Sequence, residues 1–177
     1  DIGSNSIKIL VAKRQADGRL ISLLTKTLDA RISAGISQAT PRLSDEGMVR
    51  GVAAVKELLA DAATFRPDKI LLVATSAVRD ASNGAEFRQK IFDASGYGVR
   101  LLSGEEEANL IGRGLTCDPA LSGLQDFYLF DLGGGSMECL AFSNRTIRQA
   151  LSLQLGCVRT TERCVPDPAP PRPSCIR

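Results

Sequence analysis

The 177-residue sequence predicts an α/β fold made of two similar units, and three observations carry that prediction. Short apolar runs alternate with helical stretches, the pattern of a sheet covered by helices. The order of elements starts again near residue 127. A short motif, Asp1-Ile2-Gly3-Ser4-Asn5-Ser6, returns as Asp131-Leu132-Gly133-Gly134-Gly135-Ser136, an internal repeat with a period of about 130 residues.

Residues 7–13 have strand composition, and 20–28 follow after the turn Asp17-Gly18. Residues 30–33 are expected to add a short third strand, completing a meander. Ser44 is placed to cap a helix with the apolar stripe Met48, Val52, Val55, Leu58, Leu59 and Ala62. Pro67 falls just beyond its end. Residues 69–74 form a nearly continuous apolar run, suited to a buried parallel strand. Asn83 and Glu86 have capping-box spacing at the start of a helix that runs to about Ala94 and stops at Gly96. A strand at 98–102 and a helix at 105–115 come next. The order β-β-β-α-β-α-β-α implies a mixed sheet with helical cover, complete by about residue 116.

The second round opens with a strand at 127–132, a glycine loop, and strands near 137–142 and 146–153. Residues 1–120 are expected to form one whole domain and 121–177 the start of a second, truncated one that exposes apolar strand faces. From about residue 164 the sequence holds most of the eight prolines, so neither helix nor strand is expected there. Because Asp1 already belongs to a motif, the first strand is expected to lack its opening residues.

Composition removes several functions. Lys and Arg number 22 against 20 Asp and Glu, and the formal charge is +2. That balance argues against general nucleic-acid or membrane-surface binding, so any polyanion must be held by local loops. The chain has no histidine, which excludes His-based triads and His-ligated metals and leaves acid–base work to Asp, Glu, Lys or Tyr. The five cysteines, Cys117, Cys139, Cys157, Cys164 and Cys175, are odd in number and lack C-x-x-C spacing, as expected of reduced thiols in a cytoplasmic protein. No apolar run reaches the ~20 residues of a membrane span, and no signal peptide is visible.

The two glycine/serine loops carry the chemistry. Small residues after a strand leave consecutive backbone N–H groups free to converge on a phosphate, and serine hydroxyls add donors. A single such loop is more often a plain turn; two at equivalent places in a repeat favour phosphate binding across an interdomain cleft. Gly3, Ser4, Asn5 and Ser6 form one loop, and Gly133, Gly134, Gly135 and Ser136 the other. Asp1 and Asp131 precede them. A carboxylate beside phosphate calls for an intervening cation, and Mg²⁺ accepts one or two carboxylates plus phosphate and water. Glu138 is a further carboxylate nearby, and an Asx-type turn bond is the competing role for either aspartate.

Ser103-Gly104-Glu105-Glu106-Glu107-Ala108 stands at a strand-to-helix junction. Acidic residues there serve the helix dipole by default, yet three in a row point about 100° apart, so at least one faces the cleft. There it is suited to deprotonating water. Thr75, Ser76 and Arg79 follow a buried strand at its carboxyl end, where α/β sheets bind ligands. Arg79 is suited either to fork onto phosphate or to pair with Asp80 or Glu86.

Taken together, D-I-G-S-N-S at 1–6, A-T-S-A-V-R-D-A at 74–81, S-G-E-E-E-A at 103–108, D-L-G-G-G-S-M-E at 131–138 and S-L-Q-L-G-C-V-R-T-T-E at 152–162 resemble the exopolyphosphatase/guanosine pentaphosphate phosphohydrolase (Ppx/GppA) family. The resemblance implies the ribonuclease-H-like architecture of the actin/Hsp70/sugar-kinase superfold, with the active site between two domains. It singles out Glu107 as the catalytic glutamate, Asp131 and Glu138 as Mg²⁺-associated positions, and Arg79 with both loops as phosphate binders. The implied activity is hydrolysis of polyphosphate or guanosine pentaphosphate. Nucleic acid and membrane are not expected partners, and homodimerisation of a full-length protein stays open. A non-catalytic nucleotide- or polyphosphate-binding module is the rival function. Met137 stands where the family has a threonine after the second loop's serine, which removes one hydroxyl.

Overall fold

The computed structural model describes residues 1–34 and 36–165. Two strands, β1 (Ile7–Arg14) and β2 (Leu20–Leu28), form an antiparallel hairpin. Helix α1 (Asp45–Ala63) follows; the Ser44 hydroxyl accepts from the Gly47 N–H, as the sequence predicts for its cap. Its apolar stripe buries Met48, Val55, Leu58 and Ala62 against the first sheet.

Strand β3 (Leu72–Ala74) pairs in parallel with β4 (Val99–Leu101). Between them lie the short helix α2 (Ser76–Asp80) and helix α3 (Gly84–Ser95), which ends on left-handed Gly96. Ile2 joins the two halves of this sheet, bridging antiparallel to Ile7 and parallel to Ala74. The sheet is therefore mixed, as expected. Its core centres on Ile2, Ile7, Ile32, Met48, Phe87 and Ile91.

Helix α4 (Gly104–Thr116) leads through a 3-10 turn, Pro119–Leu121, to the antiparallel sheet β5 (Phe127–Leu132), β6 (Met137–Ser143) and β7 (Thr146–Leu153). A second core gathers Ala108 of α4 with Leu140, Phe142 and Ile147. Phe127 and Phe142 stack with ring centroids 4.3 Å apart. Tyr128, Phe130, Leu132 and Leu151 are exposed on this sheet, matching the expected apolar strand faces. A final helix, α5 (Cys157–Cys164), caps the chain end of the described region.

Several expectations need correction. Residues 30–33 make no strand; they form a turn whose N–H groups serve the first glycine loop, with Arg31 donating to the Asn5 carbonyl and Ser33 to that of Ser4. The run at 69–74 is a strand only over its last three residues. Asn83 occupies the helix N-cap position without a capping bond. Its buried amide instead binds both the N–H and the C=O of Leu43, at 2.9 Å each, so a tertiary partner displaces the local one. A capping box is instead found at Ser103 and Glu106.

The proline-rich segment from residue 166 and Cys175 lie outside the described residues; Cys117, Cys139, Cys157 and Cys164 are free thiols. No helix among the described residues is long and apolar enough to cross a membrane.

Candidate active site

Both glycine loops close with the same turn. Gly3 N–H donates to the Ser6 carbonyl at 3.1 Å, and Gly133 N–H to that of Ser136 at 2.9 Å. The repeat read in sequence is thus a repeat of backbone hydrogen bonding. The two loops sit against each other and against α2: Ser4 Oγ lies 3.1 Å from Ser76 Oγ, and all of Ser4, Ser76 and Ser136 are buried. Gly135 has no room for a side chain, since a Cβ there would fall 2.4 Å from Ser76 Oγ and 2.5 Å from Ser4 Oγ.

In both loops the carbonyls are held from behind. Arg31 and Ser33 donate to Asn5 and Ser4, while Cys157 and Val158 N–H donate to Gly133 and Gly134 at 2.9 Å. A trans peptide sets C=O and the following N–H in opposite directions. The amides of Asn5, Ser6, Gly134 and Gly135 are therefore turned away from these braces. Among the described residues those of Asn5, Gly134 and Gly135 donate to no backbone carbonyl, the condition for an anion-binding nest.

The three consecutive glutamates divide their roles. Glu105 is exposed. Glu106 is spent on the capping box: its carboxylate accepts from the Ser103 N–H at 2.9 Å and from Arg100 at 2.6 Å, and those bonds hold its pKa below the ordinary value. Glu107 turns inward, its side chain only 14% exposed, with Oε2 3.1 Å from Arg79 Nη1. Burial raises its pKa above that of a free glutamate, against a lowering by the Arg79 hydrogen bond; the nearby Glu138 carboxylate adds to the rise. Arg79 is also fixed by the Leu102 carbonyl at 3.0 Å and approaches Asp80 at 3.6 Å, while Glu86 pairs with Lys90.

Asp131 and Glu138 stand directly opposite each other on β5 and β6, so their side chains rise from one face of the sheet. Asp131 is exposed; Glu138 is buried and accepts from Ser152 Oγ at 2.8 Å. Asp1 is exposed at the first loop, and among the described residues no three acidic, Cys or His side chains converge on one point. A concavity of about 500 Å³ lies between β1, α1 and β3, lined by Ile7, Ile9, Val11, Leu58 and Leu72 among others. Its lining is mostly apolar, with Asp1, Lys8 and Lys69 as the charged residues, and it takes in neither Ser4 nor Ser136 of the glycine loops.

Sequence reading gave Asp80 only as an ion-pair partner for Arg79 and assigned no role to Arg159. Arg159, 1% exposed, reaches from α5 to Asp80 and to the Gly135 carbonyl. Its place in the 152–162 motif was visible, but a partner 79 positions away was not.

A sequence model of the Ppx/GppA phosphatase family matches residues 10–174. Among solved structures, an exopolyphosphatase from Cytophaga hutchinsonii superposes with a TM-score of 0.85 at 23% identity, over 92% of this chain and 51% of that one. An exopolyphosphatase-like protein gives 0.81 at 29% identity, over 91% and 51%. The Aquifex aeolicus member of the Ppx/GppA family gives 0.74 at 25% identity, again over 91% and 51%. The chain thus spans about half the length of these structures.

Proposed function

Because the chain belongs to the Ppx/GppA phosphatase family, we propose that it serves hydrolysis of phosphoanhydrides, releasing terminal orthophosphate from inorganic polyphosphate or from guanosine pentaphosphate. The observation that carries this reading is the placement of Glu107, an inward-facing carboxylate of raised pKa beside Arg79. A base of that kind holds a proton well at the moment of attack. Glu107 takes a proton from water, the water oxygen bonds the terminal phosphorus, and the P–O bond to the shortened phosphate chain breaks, its electrons staying with the leaving oxygen. The amides of the two loops meet the negative charge of the phosphoryl oxygens, the chief demand of this chemistry. Arg79, held by the Leu102 carbonyl and by Glu107, fixes the direction of the base.

Mg²⁺ suits the donor set. Paired Asp131 and Glu138, with Ser152 orienting the second, are the two carboxylates that would hold the ion on one sheet face, an arrangement that would leave room for phosphate and water. Asp1 is the candidate on the opposite loop. When bound, the ion neutralises phosphate charge. The family match over residues 10–174 and the similarity to an exopolyphosphatase-like protein at 29% identity support this substrate class.

The test is orthophosphate release from polyphosphate, guanosine pentaphosphate and ATP with Mg²⁺. Release from either of the first two, lost in Glu107→Gln, is the expected result. Binding of polyphosphate without release by the native protein would instead identify a binding module.

A further inference from the structure

We propose that Arg159 is a positioning residue of the second glycine loop, turning the Ser136 amide toward a bound phosphate; this rests on the phosphate-binding reading above. Among the described residues, Arg159 is the largest of the fully buried side chains. Desolvating a guanidinium is costly, and apolar residues of similar volume often pack such a place with no loss of stability. Burial alone therefore gives no reason for an arginine. Its partners do: Nε donates to the Gly135 carbonyl at 2.8 Å while Nη2 holds Asp80.

The loop presents three successive carbonyls to α5. Two are taken by Cys157 and Val158 N–H groups at the start of that helix, where backbone donors lack intrahelical acceptors. Gly156 permits this approach, because a Cβ there would lie 2.4 Å from the Gly134 carbonyl. The third carbonyl, that of Gly135, is met by the Arg159 side chain. Since C=O and the next N–H oppose each other, the three bonds set the Gly134, Gly135 and Ser136 amides in the opposite sense. Without Arg159 the Gly135–Ser136 peptide keeps no brace on its carbonyl and is free to flip.

Asp80 extends the effect. It receives Arg159 on Oδ2 and stands 3.6 Å from Arg79 Nε on Oδ1. One carboxylate thus fixes the guanidinium behind the loop relative to the one that orients Glu107. An arginine fork meets both acceptors, whereas a lysine ammonium lacks that planar geometry.

The experiment compares native protein with Arg159→Met, Arg159→Lys and the double variant Arg159→Met/Asp80→Asn, which avoids leaving the half-buried Asp80 carboxylate without its Arg159 partner. Three readouts are tripolyphosphate affinity by calorimetry, the Ser136 amide resonance without ligand, and thermal melting. The double variant is expected to remain folded, bind tripolyphosphate about tenfold more weakly or worse, as for loss of a hydrogen bond to a charged group, and show a shifted Ser136 resonance. Arg159→Lys is expected to fall between. A folded double variant with native affinity and an unmoved Ser136 amide would overturn the proposal. Native protein that fails to bind tripolyphosphate, with the Ser136 amide still displaced in the variants, would refute the phosphate reading and leave the orienting role supported.

Discussion

Replacing Glu107 by glutamine tests the site most directly, because the two side chains differ in charge and not in size. A positioned general base contributes about 10²–10⁴-fold to rate, or roughly 3–5 kcal/mol of barrier at 1.36 kcal/mol per tenfold. Orthophosphate release from polyphosphate should fall by that factor, while polyphosphate affinity changes little. Stability should move the other way. The raised pKa means the fold disfavours ionised Glu107 relative to the unfolded chain. Stability linked to this group is present below the unfolded pKa and is lost as pH rises through the higher folded value. Glutamine removes that cost, and Arg79 keeps the Leu102 carbonyl and Asp80 as partners. The variant should thus melt no lower than the native protein at about pH 7.5, with any advantage shrinking as pH falls below the ordinary glutamate value, where Glu107 becomes protonated in both states. The acid limb of the native activity profile should likewise lie above the ordinary glutamate range. Release within about threefold of the native rate would refute the assignment of Glu107 as base, since even the low end of the general-base range exceeds it.

Other perturbations probe the frame. Gly135→Ala places a Cβ 2.4 Å from Ser76 Oγ, and overpacking of this kind costs about 1–3 kcal/mol; denaturant unfolding and phosphate release should both decline. Asn83→Ala strips both bonds from buried Leu43 and should cost roughly 2–4 kcal/mol by chemical denaturation, with kcat preserved in the protein that remains folded. Chelation with EDTA should abolish release, and Glu138→Gln should raise the Mg²⁺ concentration needed for half-maximal rate, measured by titrating the metal back.

What the sequence determined by itself was local. Ser44 had the right neighbours to cap a helix, Gly96 could stop one, and the recurrence of Asp-x-Gly-x-x-Ser marked two loops that close with the same hydrogen bond. Such signals need only a few consecutive residues, and their physics is complete within a turn of chain. Tertiary structure decided the rest wherever a polar group had a choice of partners. Asn83 had a helix to cap and instead bound Leu43; residues 30–33 had strand character and instead braced the first loop. Spacing told only that at least one of three glutamates would face inward, and the family resemblance singled out Glu107; α4 packing on Leu140 and Phe142 through Ala108 is what turns that side chain in. Arg159 was an arginine in a motif until the fold brought Asp80 and Gly135 to it. A buried charge takes its meaning from groups distant in sequence, because only packing can remove the water that would otherwise serve every one of them alike.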